Sequence, residues 1–490
     1  MQHEPIAIRR HRWDWAALVA VGMIAAIVAL YRLGDAAIYW WDEARVALNS
    51  LEMMRAANPL IVTFNGQADL WNSKPPLAIW LNALSMRLFG VNEFALRVPS
   101  ALAAIATTLA VFRFTQRVSD TKTAVLSALI LLGIGGYVEV HVTRTADYDS
   151  LLVLFTTLTT FSLFAAFDSK RFYPPGAYAL LGLLTKGTAG LIMMPGYLLY
   201  ALTHRIDLRR AIWPSLAALG GVLLYLGARE LSESGYLHAL FTEEVLRFTQ
   251  PADQGNHRQL GFYVVQLFWP WQTQFFDRYW NAAYQISAFP WSWLALITLL
   301  RPSRAAAYLW CCAATYVLAV SIAVTQHPWY VAPVYPLLAV LAALGVQKTV
   351  AIVRIEFLFP LFVGLAILCV ALNLLKVDRE QQGVMLWRER GQASLIHESP
   401  PSARVQVWPD IVWRTPAVRN GVIVGTELYF GAIEFYRRQR PPGAVQITCA
   451  AQPFVRDSGR AMATSCYPPN MRPTGPEIHQ VPDSAAVTIP

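Results

Sequence analysis

The sequence predicts a polytopic all-α membrane protein with a small α/β domain at its C-terminal end. Three observations predict it. Charged side chains make up 14% of the 490 residues and hydrophobic ones 55%, whereas soluble domains carry about 25% charged residues. Apolar runs long enough to cross a bilayer recur from residue 13 to residue 375. Beyond Lys376 the composition turns polar and proline-rich, with short β-prone runs at Val405-Gln406-Val407-Trp408 and Gly421-Val422-Ile423-Val424. This composition excludes a disordered, collagen-like or disulfide-framework chain. The net charge of +9 does not point to a nucleic-acid partner, because Lys and Arg fall in small groups between apolar runs instead of one basic stripe. With no CxxC motif or Cys/His cluster, a structural zinc site is not expected.

Taken in order, Arg9, Arg10 and Arg12 precede an apolar run from Trp13 to Tyr31, longer than the core of a signal peptide and read as a first span entering from the cytoplasm. Residues 33–95 form a first outer loop with two amphipathic helices. In the first, Ala47, Leu48, Leu51 and Met54 repeat at helical spacing opposite a polar stripe of Arg45, Asn49 and Glu52; in the second, Leu77, Trp80, Leu81, Leu84 and Leu88 follow Pro75-Pro76 and stop at Gly90. Both are expected to lie in the membrane interface. Further apolar runs at 96–112, 123–140, 150–167, 173–185, 188–203, 211–228, 286–300, 305–325, 329–346 and 355–375 bring the expectation to about 11 spans. Alternate connections are basic: Arg113/Arg117/Lys122, Lys170/Arg171, Arg205/Arg209/Arg210, Arg301/Arg304 and Lys348/Arg354. They are assigned to the cytoplasm. That places 33–95, 141–149, the Lys186 turn, the large loop 229–285 and a soluble domain over 377–490 on the other side of the membrane, with 1–376 as the membrane domain. Cys449 and Cys466 of the outer domain are candidates for a disulfide.

Ionisable residues avoid the spans, Glu139 being the main exception, and collect at their outer ends. That pattern speaks against an ion-coupled transporter. Taken singly, each group has a plain structural role available. Asp42, just before a helix, is a good N-cap. Lys74 beside two prolines can be a snorkelling cation. Arg144 beside Asp147 and Asp149 can be an ion pair with a helix cap. Lys186-Gly187 can be a turn. Together they place the acids Asp42, Glu43, Asp147 and Asp149 and the cations Lys74, Arg144 and Lys186 at one rim. That suits group transfer from a lipid phosphate, a carboxylate taking the acceptor's proton and cations holding the departing phosphate. No P-loop or dinucleotide fingerprint is present, so the activated donor is expected to be membrane-borne. No cofactor is required; a divalent cation at Asp147 and Asp149 is compatible with the pattern.

Several ordered motifs resemble one family: Asp42-Glu43-Ala44-Arg45, Asn65-Gly66, Lys74-Pro75-Pro76-Leu77, Trp80-Leu81, Leu88-Phe89-Gly90, Glu93 through Arg97 and Pro99-Ser100-Ala101-Leu102. The match continues through Arg144 to Asp149, Thr185-Lys186-Gly187, Arg247-Phe248, His257, Pro270-Trp271, and His327-Pro328-Trp329-Tyr330 with Pro333 and Pro336. Over residues 13–350 the chain resembles the lipid A aminoarabinose transferases and the dolichyl-phosphate-mannose protein O-mannosyltransferases. The resemblance implies a GT-C glycosyltransferase of 11–13 spans with interfacial helices and a periplasmic C-terminal domain. It implies a bacterial inner-membrane location and a sugar donor linked to undecaprenyl phosphate, with a lipid, glycan or protein as acceptor. By motif position Asp42 resembles the catalytic carboxylate, Asp149 the second acid with Asp147 as its alternative, and Lys74 the cation near the donor phosphate. Arg144, Lys186, Arg247, Glu43, Asp147, His257 and Tyr330 are the further substrate-binding candidates. Where many relatives have Glu before Lys-Pro-Pro, this chain has Ser73. The alternative readings are an oligosaccharide ligase or polymerase using lipid-pyrophosphate donors, and a polyprenyl-lipid flippase.

Overall fold

A computed structural model of the chain describes residues 12–382 apart from 39–41, 65, 139–140, 170–172, 205, 207, 247–260, 270–287 and 325, together with short segments between 405 and 488. Helix α1 (Arg12–Leu30) leads to α2 (Asp42–Met53), a two-residue hairpin of β1 (Thr63–Phe64) and β2 (Gln67–Ala68), and α3 (Leu77–Phe89). Next come α4 (Glu93–Val118), α5 (Thr121–Gly133), the single turn α6 (Gly135–Val138), α7 (Asp149–Ser169) and α8 (Tyr173–Lys186). A 3-10 turn over Gly187–Leu191 joins α8 to α9 (Met194–Thr203), followed by α10 (Leu208–Ser232) and α11 (Tyr236–Leu240). The helices Phe262–Phe268, Trp291–Leu296, Arg304–Ile322, Tyr335–Val353 and Leu358–Gln382 complete the helical body.

The polytopic all-α expectation holds. Among the described residues six helices are long and apolar enough to cross a membrane: Trp13–Leu30, Glu93–Val118, Asp149–Phe167, Arg304–Ile322, Pro328–Val353 and Leu358–Val377. A seventh arises if Pro174–Leu191 and Met194–Thr203, bent by 67°, count as one span. Outside that set, the run at 173–203 is one interrupted segment, α5 has only 13 residues, residues 291–299 form a six-residue helix that tightens into a 3-10 turn, and the run at 211–228 falls on the 25-residue α10.

Side-chain caps set where spans begin. Asn92 accepts from Ala95 N at 2.8 Å at the start of α4, and Asp120 accepts from Thr123 N at 2.8 Å at the start of α5. Within the helices, Thr107, Thr108, Thr156, Thr159 and Thr160 donate to the carbonyl four residues back, so their hydroxyls stay satisfied in an apolar surrounding. Gly196 and Gly345 lie where a Cβ would strike the backbone of Cys311–Cys312 and of Leu294, which lets those helices approach closely.

In the first loop the polar stripe of α2 is covered, because the β1–β2 hairpin and residues 69–76 fold over it. Arg45 pairs in a fork with Asp69 at 2.8 and 2.6 Å, Asn49 donates to Asp69 at 3.0 Å, and Asn72 donates to Asn49 at 2.9 Å and to Tyr148 at 2.8 Å. Phe64 and Trp71 stack on the Arg45 guanidinium at 4.3 and 4.4 Å. A buried polar stripe is tolerated because each group finds a partner in the loop. Beyond the last helix, which runs on past residue 376 to Gln382, β3 (Val405–Val407) pairs between β6 (Val445–Ile447) and β9 (Val487–Thr488), β4 (Val418–Arg419) pairs with β5 (Val422–Ile423), and β7 (Ala450–Val455) pairs with β8 (Ala461–Tyr467). Phe435 is buried against α2, and Arg438 pairs with Glu52 at 2.9 Å. Glu139 and Cys449 lie outside the described residues.

Candidate active site

The site begins with a buried ion pair. Arg97, on the second turn of α4, meets Glu43 of α2 at 2.7 and 2.9 Å, and donates to the carbonyls of Leu33, Ala36 and Ala37 at 3.0, 2.7 and 3.0 Å. The Glu43 carboxylate also accepts from Ala146 N at 3.0 Å. Both side chains are nearly inaccessible, at 1% and 0%. One charge pair therefore ties the end of α1, the start of α2, α4 and the 141–148 loop together. Asp42 neighbours Glu43 and Asp147 neighbours Ala146, so the pair sets both acids. Glu43 holds the frame of the site and does not project from it.

Asp42, in the first turn of α2, comes together with His141 and Asp147; one ligand atom from each lies within 4.8 Å of the others. His141 Nδ1 is 3.0 Å from Asp147 Oδ2, Thr145 Oγ1 donates to Asp147 at 2.7 Å, and His141 N donates to Thr145 Oγ1 at 2.8 Å. His141 takes a left-handed φ of 71°, a conformation that costs a non-glycine residue energy and recurs at functional sites. Its ring stacks on Trp329 at 3.9 Å, and Trp329 stacks in turn on His327 at 4.6 Å. Burial alone would lower the His141 pKa, but the Asp147 carboxylate, with Asp42 and Asp149 beyond it, raises it on balance. Burial raises the pKa of Asp147, against the opposing pull of His141. Two carboxylates and an imidazole are a donor set that suits a divalent cation. It differs from the expected Asp147–Asp149 pair, because Asp149 is engaged elsewhere.

Asp149 opens α7 and accepts from Lys186 Nζ at 2.7 and 2.8 Å, where α8 ends. The same ammonium sits 5.2 Å from the Tyr330 ring, and Asp42 lies within its electrostatic reach. The expected turn at Lys186 thus brings a partly buried cation beside the acids. Lys74 stands nearby: its Nζ is 5.6 Å from the Tyr148 ring, 6.0 Å from Trp71 and 3.4 Å from Glu244 Oε1. Ser73 Oγ is 3.3 Å from the same Glu244 oxygen, and Tyr236 OH donates to Ser73 O at 2.8 Å.

Of the sequence candidates, Asp42, Asp147, Asp149, Lys74, Lys186 and Tyr330 converge. Arg144 does not join them; it donates to Val28 O at 3.0 Å and Tyr31 O at 2.7 Å, neutralising the carbonyl end of α1. Arg247 and His257 lie outside the described residues. His141, Arg97, Trp329 and Glu244 were not singled out for these roles by sequence.

The family model for dolichyl-phosphate-mannose-protein mannosyltransferase matches residues 73–228. An undecaprenyl phosphate-alpha-4-amino-4-deoxy-L-arabinose arabinosyl transferase of Shewanella sediminis is 28% identical over 50% of this chain and 46% of its own length. The protein of the same description from Edwardsiella ictaluri is 28% identical over 66% and 59%. The chain thus spans less than two thirds of either relative. Among solved structures, ArnT from Cupriavidus metallidurans bound to undecaprenyl phosphate aligns with a TM-score of 0.59 at 16% identity, over 89% of this chain and 90% of that one. The chain has the GT-C fold. An archaeal oligosaccharyltransferase, AglB from Archaeoglobus fulgidus, shares that fold at a TM-score of 0.51 and 12% identity, over 79% of this chain and 58% of AglB. In sequence this GT-C chain resembles the aminoarabinose transferases and the protein mannosyltransferases.

Two outcomes follow from the geometry. Glu43→Gln leaves a buried Arg97 without its counter-charge and should cost about 3 kcal/mol of stability; thermal unfolding of the detergent-solubilised protein measures it, and an unchanged midpoint would contradict the central position of the pair. For the His141–Asp147 pair, both folded pKa values lie above their ordinary values of 6.5 and 3.8. The stability they confer is complete below those values and is lost as pH rises through the folded ones. As pH rises above the ordinary histidine value of 6.5, wild type should therefore lose more thermal stability than the double variant His141→Gln/Asp147→Asn; parallel curves would contradict the shifts.

Proposed function

We propose that the protein is an inverting glycosyltransferase of the bacterial inner membrane. It moves a sugar from undecaprenyl phosphate to a lipid, glycan or protein hydroxyl on the periplasmic side. The observation that carries the reading is the meeting of Asp42, His141 and Asp147 with Lys186 and Lys74 at one end of a GT-C helical body. Relatives described as undecaprenyl-phosphate-dependent arabinosyl transferases support the choice of donor. Positive-inside loops support the side.

In this mechanism the acceptor oxygen attacks the anomeric carbon as the bond from that carbon to the phosphate oxygen breaks. Asp42 takes the acceptor's proton; among the described residues its carboxylate makes no hydrogen bond, which leaves an oxygen open for the hydroxyl. His141 and Asp147 hold Asp42 within a fixed cluster. Lys74 meets the phosphate monoester that departs, a charge-assisted contact that strengthens as the monoester gains charge. Asp149 keeps Lys186 fixed as a second cation. No acid is needed for the leaving group, since a phosphate departs without prior protonation. The step uses no cofactor, and the three ligand-like groups at Asp42 act as an ion-paired cluster.

Transfer by the purified protein, with undecaprenyl-phosphate sugar and a membrane extract, tests the roles. Asp42→Asn should lower kcat by about 10²–10⁴-fold, the range for loss of a general base. Lys74→Ala should raise the KM for the donor more than it lowers stability. Near wild-type transfer by Asp42→Asn would remove the base role, unchanged donor KM would remove Lys74 from the phosphate site, and loss of transfer on chelation would assign a cation to the Asp42 cluster.

A further inference from the structure

The contact between Lys74 and Glu244 has no part in the mechanism above, and its placement is informative. Lys74 follows Ser73 at the end of the loop that covers α2. Glu244 comes from the π-helical turn Phe241–Val245, 170 residues later in the chain by number. The carboxylate oxygen Oε1 lies 3.4 Å from the Lys74 ammonium and 3.3 Å from the Ser73 hydroxyl. Both charged side chains retain access to solvent, at 20% and 33%, so the pair adds little to stability. Its backbone setting is firm. Tyr236, buried beneath the Arg229 guanidinium at 4.7 Å, holds the Ser73 carbonyl at 2.8 Å, and Tyr148 and Trp71 flank the ammonium.

We infer that Glu244 sets the selectivity of the phosphate site between donor and product. The inference rests on the donor reading above. The donor is a phosphodiester with one negative charge. Transfer breaks its sugar–oxygen bond and leaves a phosphate monoester, which carries close to two negative charges above its second pKa of about 6. A lone ammonium would hold the dianion more tightly than the monoanion, and the product would stay on the enzyme. A carboxylate on the same ammonium weakens this preference. It repels an arriving phosphate in proportion to the phosphate's charge, so the product is penalised about twice as much as the donor. At solvent-exposed spacings of about 6 Å one such repulsion corresponds to about threefold in affinity, and a doubled charge to about tenfold. Ser73 serves the same end: its hydroxyl, where a charged side chain would add a second repulsion, hydrogen-bonds Glu244 and keeps it on Lys74.

The test is equilibrium binding to the full-length protein in detergent at about pH 8, where the monoester is doubly charged. The two probes are undecaprenyl phosphate and its methyl ester, a diester of one charge. Glu244→Gln should tighten undecaprenyl phosphate by about tenfold and the methyl ester by about threefold. It should also make undecaprenyl phosphate a stronger inhibitor of turnover. Equal tightening of both lipids, no tightening, or weaker binding would each overturn the inference. Wild-type protein that binds neither lipid would instead remove the donor reading on which it stands.

Discussion

Arg97 and Glu43 bear the geometry of the site. Their side chains sit in a region where water cannot screen them, and each is satisfied: the guanidinium by a carboxylate and three carbonyls, the carboxylate by the guanidinium and a backbone N–H of the second loop. Breaking such a pair leaves a buried charge, so the arrangement is close to all-or-none. Because Asp42 and Asp147 are each one residue from an anchored atom, the distance between them follows from the pair rather than from either loop alone. A carboxylate on a free loop would lose conformational entropy each time substrate bound; here that ordering belongs to folding.

Around this frame the charges are arranged by burial. Lys186 and Asp149 neutralise each other where α8 ends and α7 begins. His141 brings partial positive charge beside Asp147 and near Asp42, and Trp329 stacks on its ring. The acids can therefore stand together at neutral pH without mutual repulsion dominating. Lys74 differs from these groups. Its partner is half-buried and comes from a distant turn of the chain, and the proposed mechanism exchanges it for a substrate phosphate. A rigid acidic half beside an exchangeable cationic half is what transfer from a lipid phosphate asks of a site.

Much of the architecture was legible in the sequence, because hydrocarbon imposes long apolar runs and leaves ionisable groups only at their ends. The same rule brought Asp42, Lys74, Asp147, Asp149 and Lys186 forward. Hydropathy reports composition and not helix length: the apolar stretch at 291–299 is a six-residue helix followed by a 3-10 turn. Helical periodicity marked the α2 stripe as polar but could not show that Asp69 and Asn72 would cover it. Arg144 looked like a site residue by neighbourhood, yet the open carbonyls of α1 claim it. His141 stood in the same segment as the acids, and only its left-handed backbone and its stack on Trp329, 188 positions away in number, reveal its place. Such pairings depend on topology, which local pattern does not carry.

The account stands on two loops forming one site. A double-mutant cycle on single-turnover transfer, with Asp42→Asn, Asp147→Asn and both together, measures that directly. The account predicts strong non-additivity, the double variant being scarcely slower than Asp42→Asn alone. Rate losses that simply multiply would show that the two carboxylates act independently and would contradict it.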